Sequence, residues 1–216
     1  MSAREEVLSR VRNALVDVIQ PDPVLDVPIA WEYGRPTAMP DVLDRFVEYV
    51  LDYKAVVRRV PEAEVPEAIG ALLVERGVTS MVLPAGVDAT WRKAVVDAGV
   101  TVHADDPPLS RVELNEIDGV LTASRVGIAD TGTIVLDHRD DQGRRALSLV
   151  PDLHICVVRA DQVVSDVPEA VVRLQASIED GRPLTWISGG SATSDIELNR
   201  VEGVHGPRTL LVILAE

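Results

Sequence analysis

The chain has 216 residues, of which 46% are hydrophobic and only 3% aromatic, and its net charge is −14. This length and aliphatic content suffice for the core of one large α/β domain. The acidic charge and the scarcity of aromatic rings argue against nucleic-acid binding. The single cysteine, Cys156, excludes an internal disulfide and, by itself, a cysteine-ligated iron–sulfur site. There is no signal-type apolar core at the N-terminus and no apolar run long enough for a membrane span, so we expect a soluble cytoplasmic protein.

The first forty residues are predicted to form a segment apart from the rest. Apolar residues recur there at helical spacing and predict an opening amphipathic helix: Val7, Leu8, Val11, Leu15 and Val18. Residues 20–40 contain five prolines, which predict an irregular connection. We therefore divide the chain into an N-terminal helix with a proline-rich connection, residues 1–40, and an α/β domain, residues 41–216.

From residue 41 onward, amphipathic helices alternate with short apolar strands. Helices are predicted over residues 41–52, 67–76, 91–98 and 168–179. Strands are predicted at 55–57, 80–83, 100–102, 153–158 and 210–214. Such alternation is typical of α/β proteins, so we predict a mixed, mainly parallel sheet with flanking helices.

The middle of the chain departs from this alternation. Two predicted strands, 119–124 and 132–136, are joined by a connection too short for a crossover helix, which predicts antiparallel neighbours. His154 and Cys156 share one face of the next strand and are predicted to be core residues. His138 lies among charged residues without any repeated ligand spacing, so we predict a solvated loop and no metal site.

The most informative segment begins after the hydrophobic run 184–187. Small polar residues follow it and predict a loop that opens a helix, where unpaired backbone amides can hold an anion. The candidate ligand-binding residues of this loop are Gly189, Gly190, Ser191, Thr193 and Ser194. The structural alternative is a helix capped by Ser191 or Thr193 that binds no ligand.

Two further segments carry polar candidates. Thr131, Gly132 and Thr133 can line a pocket, although the same residues also suit a tight turn without a ligand. Arg208 can clamp a carboxylate or phosphate with two parallel hydrogen bonds, or lie exposed in a loop.

Three residues are the only candidates for acid, base or nucleophile. They are Asp130 in the turn, Glu197 after the loop and His205 before Arg208. No activated pair is visible from their spacing, so the catalytic residues stay open.

Two sequence blocks carry a resemblance to a known family. One comprises Gly127-Ile128-Ala129-Asp130-Thr131-Gly132-Thr133, with the strand at 153–158, and the other runs from Gly189 to Arg208. Together they resemble the LUD-domain family, and within it the lactate-utilisation protein C type. The resemblance spans roughly residues 41–216 and implies a fold similar to the sugar-phosphate isomerase and CoA-transferase superfamily. Asp130 stands where that family usually has Glu, and reaches about 1.5 Å less.

The resemblance also implies a function. It implies a non-redox, ligand-binding accessory subunit in the oxidation of L-lactate to pyruvate, with iron–sulfur clusters only on partner subunits and no cofactor in this chain. The alternative is a stand-alone isomerase or acyl/CoA transferase that acts on a small anionic or phosphorylated substrate. A third possibility is a regulatory module that senses a metabolite.

Overall fold

A computed structural model of the chain describes residues 2–17, 36–193, 201–202 and 206–216, with the backbone alone at 192–193 and 201–202. The chain divides into two compact units, residues 1–33 and 34–216. The first unit contains the predicted opening helix, α1 (Ala3–Ala14). Its N-terminus has a capping box, in which Ser2 Oγ accepts from Glu5 N and Glu5 Oε2 accepts from Ser2 N.

The second unit contains five helices among its described residues. They are α2 (Val42–Asp52), α3 (Val65–Arg76), α4 (Ala89–Asp97), α5 (Arg111–Glu116) and α6 (Val167–Glu179). The first strands in chain order are β1 (Val56–Val60), β2 (Ser80–Val82), β3 (Thr101–His103), β4 (Gly119–Ala123), β5 (Val126–Ile128) and β6 (Thr133–Leu136). The later strands are β7 (Leu153–Arg159), β8 (Val163–Val164), β9 (Thr185–Ile187), β10 (Ala192–Thr193), β11 (Val201–Glu202) and β12 (Thr209–Ala215).

Six parallel strands form the main sheet, in the order β1-β12-β7-β4-β2-β3. Alternate residues of β7 enter two separate hydrophobic clusters: Ile155 packs with α3 and α4, and Cys156 packs with α2. The strand is therefore covered on both faces, as its continuous apolar sequence predicts. The predicted α/β class with a mainly parallel sheet and flanking helices is confirmed.

The antiparallel pairs belong to a second, four-stranded sheet, in the order β8-β5-β6-β9. The predicted antiparallel pairing of 119–124 with 132–136 is wrong. β6 pairs instead with β5, and Gly127 lies opposite Ile134. The strand β5 lies in the segment interpreted as a connection. β4 stays in the main sheet between β7 and β2, because its chain leaves that sheet at Ser124 before β5 begins.

The helix predicted after the small-residue loop does not begin at residues 192–193. These residues form β10, which pairs antiparallel with β11, so that Thr193 lies opposite Val201. Ser194, Glu197 and His205 lie outside the residues that the structure describes. Within the described ranges, none of the helices is both long and apolar enough to cross a membrane.

Candidate ligand cleft

A cleft of about 250 Å³ lies at the amino ends of β7 and β12. One wall is formed by the second residue of each strand, His154 and Leu210, and the opposite wall by β9 and the loop that follows it. The polar side chains of the lining are those of Ser148, His154, Thr185, Ser188 and Ser191. Glycine backbone from Gly189, Gly190 and Gly206 completes the surface between them.

His154 supplies the only imidazole among the described residues of this lining. The ring is 1% exposed, and its Nε2 lies 2.8 Å from Thr122 Oγ1 in the neighbouring strand β4. Burial lowers the pKa of His154 to about 4, so the imidazole is neutral at pH 7. On the same strand face, burial raises the pKa of the Cys156 thiol to about 12, so this cysteine is no nucleophile at pH 7.

A chain of hydroxyl groups joins the turn after β5 to the cleft. Thr131 Oγ1 donates to Thr133 Oγ1 at 2.8 Å, and Thr133 Oγ1 lies 2.7 Å from Ser188 Oγ. Thr133 Oγ1 also lies 3.4 Å from the Thr131 carbonyl oxygen, to which it can donate, and in the Thr133–Ser188 pair either hydroxyl can donate to the other. When Thr133 donates to Ser188, the Ser188 proton is available to a ligand in the cleft. The structure thus brings Thr131 and Thr133 next to the loop predicted to bind a ligand, although neither lines the cleft itself.

Gly132 and Asp130 have different surroundings. Gly132 has a φ of +57°, and a Cβ there would lie 2.6 Å from the carbonyl carbon of Tyr49. The glycine is therefore required by the packing of α2 against the turn. Asp130 is exposed and absent from the cleft lining, and its amide donates to the Ser165 carbonyl at 3.0 Å.

The hydroxyl of Thr185 is hydrogen-bonded to a second histidine, His138, which does not line the cleft. The Nδ1 atom of His138 lies 2.9 Å from the Gly143 carbonyl oxygen, which can only accept, and Nε2 lies 2.8 Å from Thr185 Oγ1. Burial, the largest influence, lowers the pKa of His138. A neutral ring that donates from Nδ1 accepts at Nε2, so Thr185 donates its proton to His138 and offers lone pairs to the cleft.

The solvated loop predicted around His138 is therefore wrong. His138 is half-buried, and the preceding Asp137 is fully buried, with its Oδ2 bonded to Arg139 and Ser177. Among the described residues no group of three or more His, Cys, Asp or Glu side chains could hold a metal ion.

The loop glycines allow close contacts between backbone segments. A Cβ on Gly190 would lie 2.5 Å from the Arg208 carbonyl oxygen, and a Cβ on Gly189, whose φ is +89°, would lie 2.5 Å from Tyr53 Cβ. The Ser191 amide donates to the Pro207 carbonyl at 2.7 Å. This amide is consequently engaged by the protein and does not contribute to an open anion site.

Arg208 does not line the cleft. It lines a second groove, which shares Gly190 and Ser191 with the cleft, and its Nε is 3.6 Å from Asp152 Oδ1. No charged side chain occurs in the described lining of the cleft. Thr193 lies in β10 with only its backbone described, and the positions of Ser194, Glu197 and His205 fall outside the described ranges.

Sequence reasoning missed Thr185 and Ser148 as lining residues and His138 as their neighbour. His138 and Thr185 are 47 residues apart, and the contact arises because β6 and β9 pair with Leu136 opposite Thr185. No local pattern encodes such a pairing. The only sequence signal is the hydroxyl of Thr185 inside an otherwise apolar run.

Comparison with known proteins places the chain in a family. The family model described as "LUD domain" matches residues 43–215. The chain belongs to the LUD-domain family. The predicted resemblance is thereby confirmed, including its lactate-utilisation protein C type, which the relatives share.

Two relatives and one solved structure illustrate the similarity. Lactate utilization protein C of Deinococcus radiodurans is 48% identical over 98% of this chain and 95% of that protein. Lactate utilization protein C of Geobacillus kaustophilus is 33% identical over 56% of this chain and 53% of that protein. The crystal structure of a DUF162 family protein from Deinococcus radiodurans matches with a TM-score of 0.71 and 48% identity, covering 84% of this chain and 100% of that one.

Proposed function

We propose that the protein is a non-redox, ligand-binding accessory subunit in the oxidation of L-lactate to pyruvate. Similarity to lactate utilization protein C over nearly the full chain supports the pathway. The cleft chemistry supports the accessory role, because its histidine is neutral and lies against a threonine, and its neighbouring cysteine is a protonated thiol. Electron transfer then belongs to iron–sulfur clusters on partner subunits in the cytoplasm.

The ligand assignment rests on two hydroxyl groups of the cleft, of which Ser188 donates a hydrogen bond and Thr185 accepts one. We propose that Thr133 donates to Ser188, which leaves Ser188 a proton for the ligand, whereas Thr185 donates its proton to His138 and can accept from the ligand. A small 2-hydroxycarboxylate matches both, with its carboxylate accepting from Ser188 and its hydroxyl donating to Thr185. L-lactate has this arrangement of groups, and it can be held by these two hydroxyl groups without a charged side chain in the cleft.

The loop and the turn complete the proposed site. Gly189 and Gly190 line the cleft, and their lack of a Cβ lets the loop pack against Tyr53 and Arg208. Thr131 and Thr133 orient Ser188, and Arg208 supplies positive charge next to the same loop. Thr193 and Ser194, which follow this loop in the sequence, are proposed as further ligand-binding residues. Gly132 contributes by fixing the turn against α2.

Reconstitution of lactate oxidation tests the accessory role. Pyruvate formation from L-lactate is measured with an artificial electron acceptor for three samples: this chain alone, its iron–sulfur partner subunits alone, and the mixture. We expect no turnover from the chain alone and the highest rate from the mixture. Pyruvate formation by the isolated chain would contradict the non-redox accessory role, and a mixture no faster than the partners alone would also contradict the proposal.

Variants of the cleft test whether the rate of pyruvate formation by the mixture depends on the donor Ser188 and the acceptor Thr185. Ser188→Ala removes the donor and Thr185→Val removes the acceptor with little change of volume, so each is expected to lower the rate of the mixture by about tenfold. Ser110→Ala is a matched control, since Ser110 caps helix α5 and does not line the cleft. Equal rates for all three variants would contradict the site.

A further inference from the structure

The strand β9, residues 185–187, has an open edge beside the cleft. It is the last strand of the four-stranded sheet, so β6 is its neighbour on one side, and no other strand that the structure describes pairs with it. An open strand edge presents main-chain amide and carbonyl groups that lack a partner in the sheet. The residue whose groups point to this edge is therefore a candidate for ligand binding.

The hydrogen-bond pattern identifies that residue as Trp186. The Arg125 amide donates to the Val135 carbonyl at 2.9 Å, so the main-chain groups of Val135 face β5 and not β9. Opposite residues of an antiparallel ladder either exchange both hydrogen bonds or point away from each other. Val135 lies opposite Trp186, so the Trp186 amide and carbonyl point to the open edge. Neither group has a hydrogen-bond partner among the described residues.

This open edge faces the cleft. Thr185, Trp186 and Ile187 all line the cleft, although the side chains of successive strand residues point to opposite faces. Consecutive residues can reach one cleft through the backbone edge that they share, and β6 occupies the other edge. Trp186 is 42% exposed, so its main chain is not enclosed by the core. With His154 and Leu210 on the opposite wall, about 250 Å³ remains, which suits a small molecule and not a further strand.

We propose that the ligand of the cleft binds the open edge of β9 through Trp186, with its carboxylate accepting from the Trp186 amide as well as from Ser188. The Trp186 carbonyl points the same way, so the 2-hydroxyl can share its proton between this oxygen and Thr185 Oγ1. A carboxylate without a proton donor at C2 leaves that carbonyl unmatched. This inference rests on the proposed function and restricts its ligand to acids that carry a donor beside the carboxylate.

Exchange of individual amide protons with solvent, followed by NMR spectroscopy of the full chain, tests the inference. In the free chain the Trp186 amide should exchange rapidly, because it has no partner in the sheet. Saturating L-lactate should slow this exchange by about tenfold or more, since the amide then donates to the carboxylate. Propionate, which lacks the 2-hydroxyl, should slow it less at the same concentration.

The amide of Val102 is a matched control. Val102 is the middle residue of β3, which ends the main sheet as β9 ends the smaller one. The Thr101 amide donates to Thr79 and the His103 carbonyl accepts from Leu83, so these neighbours face β2 and the main-chain groups of Val102 face outward. Val102 does not line the cleft, and L-lactate should leave its exchange unchanged.

Two substitutions separate the amide of Trp186 from its side chain. Trp186→Val and Trp186→Pro both remove the indole, but only proline removes the amide donor, and proline is tolerated where a strand amide faces an open edge. Calorimetric titration with L-lactate should give an affinity about tenfold lower for the proline variant than for the valine variant. If the proline variant does not fold, the amide exchange of the natural chain decides.

Equal affinities of the two folded variants would overturn the inference. A lactate complex in which the Trp186 amide exchanges as fast as in the free chain would also overturn it, while lactate binding in the cleft would stand. If the natural chain binds no L-lactate at all, the inference and the proposed function both fail. The two failures are therefore distinguishable.

Discussion

The neutral state of His154 makes the stability of the protein depend on pH. The folded pKa of about 4 lies below the ordinary value of 6.5, so the unfolded chain binds the proton more readily. The contribution of His154 to folding stability is complete above pH 6.5 and declines as the pH falls towards 4. The loss amounts to about 3 kcal/mol over that window.

Replacing His154 tests this prediction. His154→Gln keeps a polar partner for Thr122 but cannot titrate, so its unfolding free energy should change less than that of the natural chain between pH 7 and pH 4.5. Urea unfolding at several pH values measures this difference. His138, whose pKa is also lowered chiefly by burial, contributes in the same direction and leaves a residual slope. Identical slopes for the natural and variant chains would show that His154 is not buried in the neutral form.

Individual residues show where sequence reasoning succeeds. His154 and Cys156 were predicted to share a buried strand face, and both are buried on β7, because strand alternation is a local property. The bond from Thr122 to His154 and the cleft beside it depend on the neighbouring strands, so the sequence did not reveal them. His138 was misassigned for the same reason, since its partner Thr185 is remote in sequence.

At the scale of elements, the contact between α2 and the turn before β6 depends on Gly132. Gly132→Ala introduces a Cβ at 2.6 Å from the Tyr49 carbonyl carbon in a residue with a φ of +57°. We expect a loss of about 2 kcal/mol or more, from backbone strain and steric overlap together. Because the same turn orients Ser188 through Thr131 and Thr133, the variant should also weaken ligand binding in the cleft.

Gly181→Ala is the control for this substitution. Gly181 has a similar φ of +67°, but nothing lies within 4 Å of its added Cβ, so only the backbone penalty of about 1 kcal/mol is expected. Chemical denaturation of both variants measures the difference. If the two alanine variants were equally stable, the close approach of α2 to Gly132 would be refuted.

Periodicity located most elements, and the errors arose where the chain changes sheets. The helix predicted over 67–76 is part of α3, which Gly77 ends in the left-handed conformation, and the apolar run at 153–158 lies within β7. β4 and β6 are both apolar and close in sequence, yet they belong to different sheets. Sheet membership depends on which distant strands compete for each edge, and local sequence does not contain that information.

At the scale of the whole molecule, family and α/β class were predictable from sequence, whereas the arrangement of the site was not. Two sequence blocks sufficed for the family because their motifs are long and ordered. From the sequence, Gly190, Ser191 and Arg208 were each candidates to bind one small anion. The fold instead places Arg208 outside the cleft, at a second groove that shares Gly190 and Ser191 with it. Such an arrangement depends on packing between β9, β12 and α2.

The central claim is that the cleft beside Ser188 binds a small hydroxycarboxylate. The most direct test is the melting temperature of the purified chain with and without ligand. L-lactate should raise the melting temperature, and this shift should disappear in Ser188→Ala and Thr185→Val while Ser110→Ala retains it. Pyruvate, which lacks the hydroxyl donor for Thr185, should give a smaller shift than L-lactate. A shift that persists unchanged in Ser188→Ala, or no shift with L-lactate at any concentration, would contradict the account.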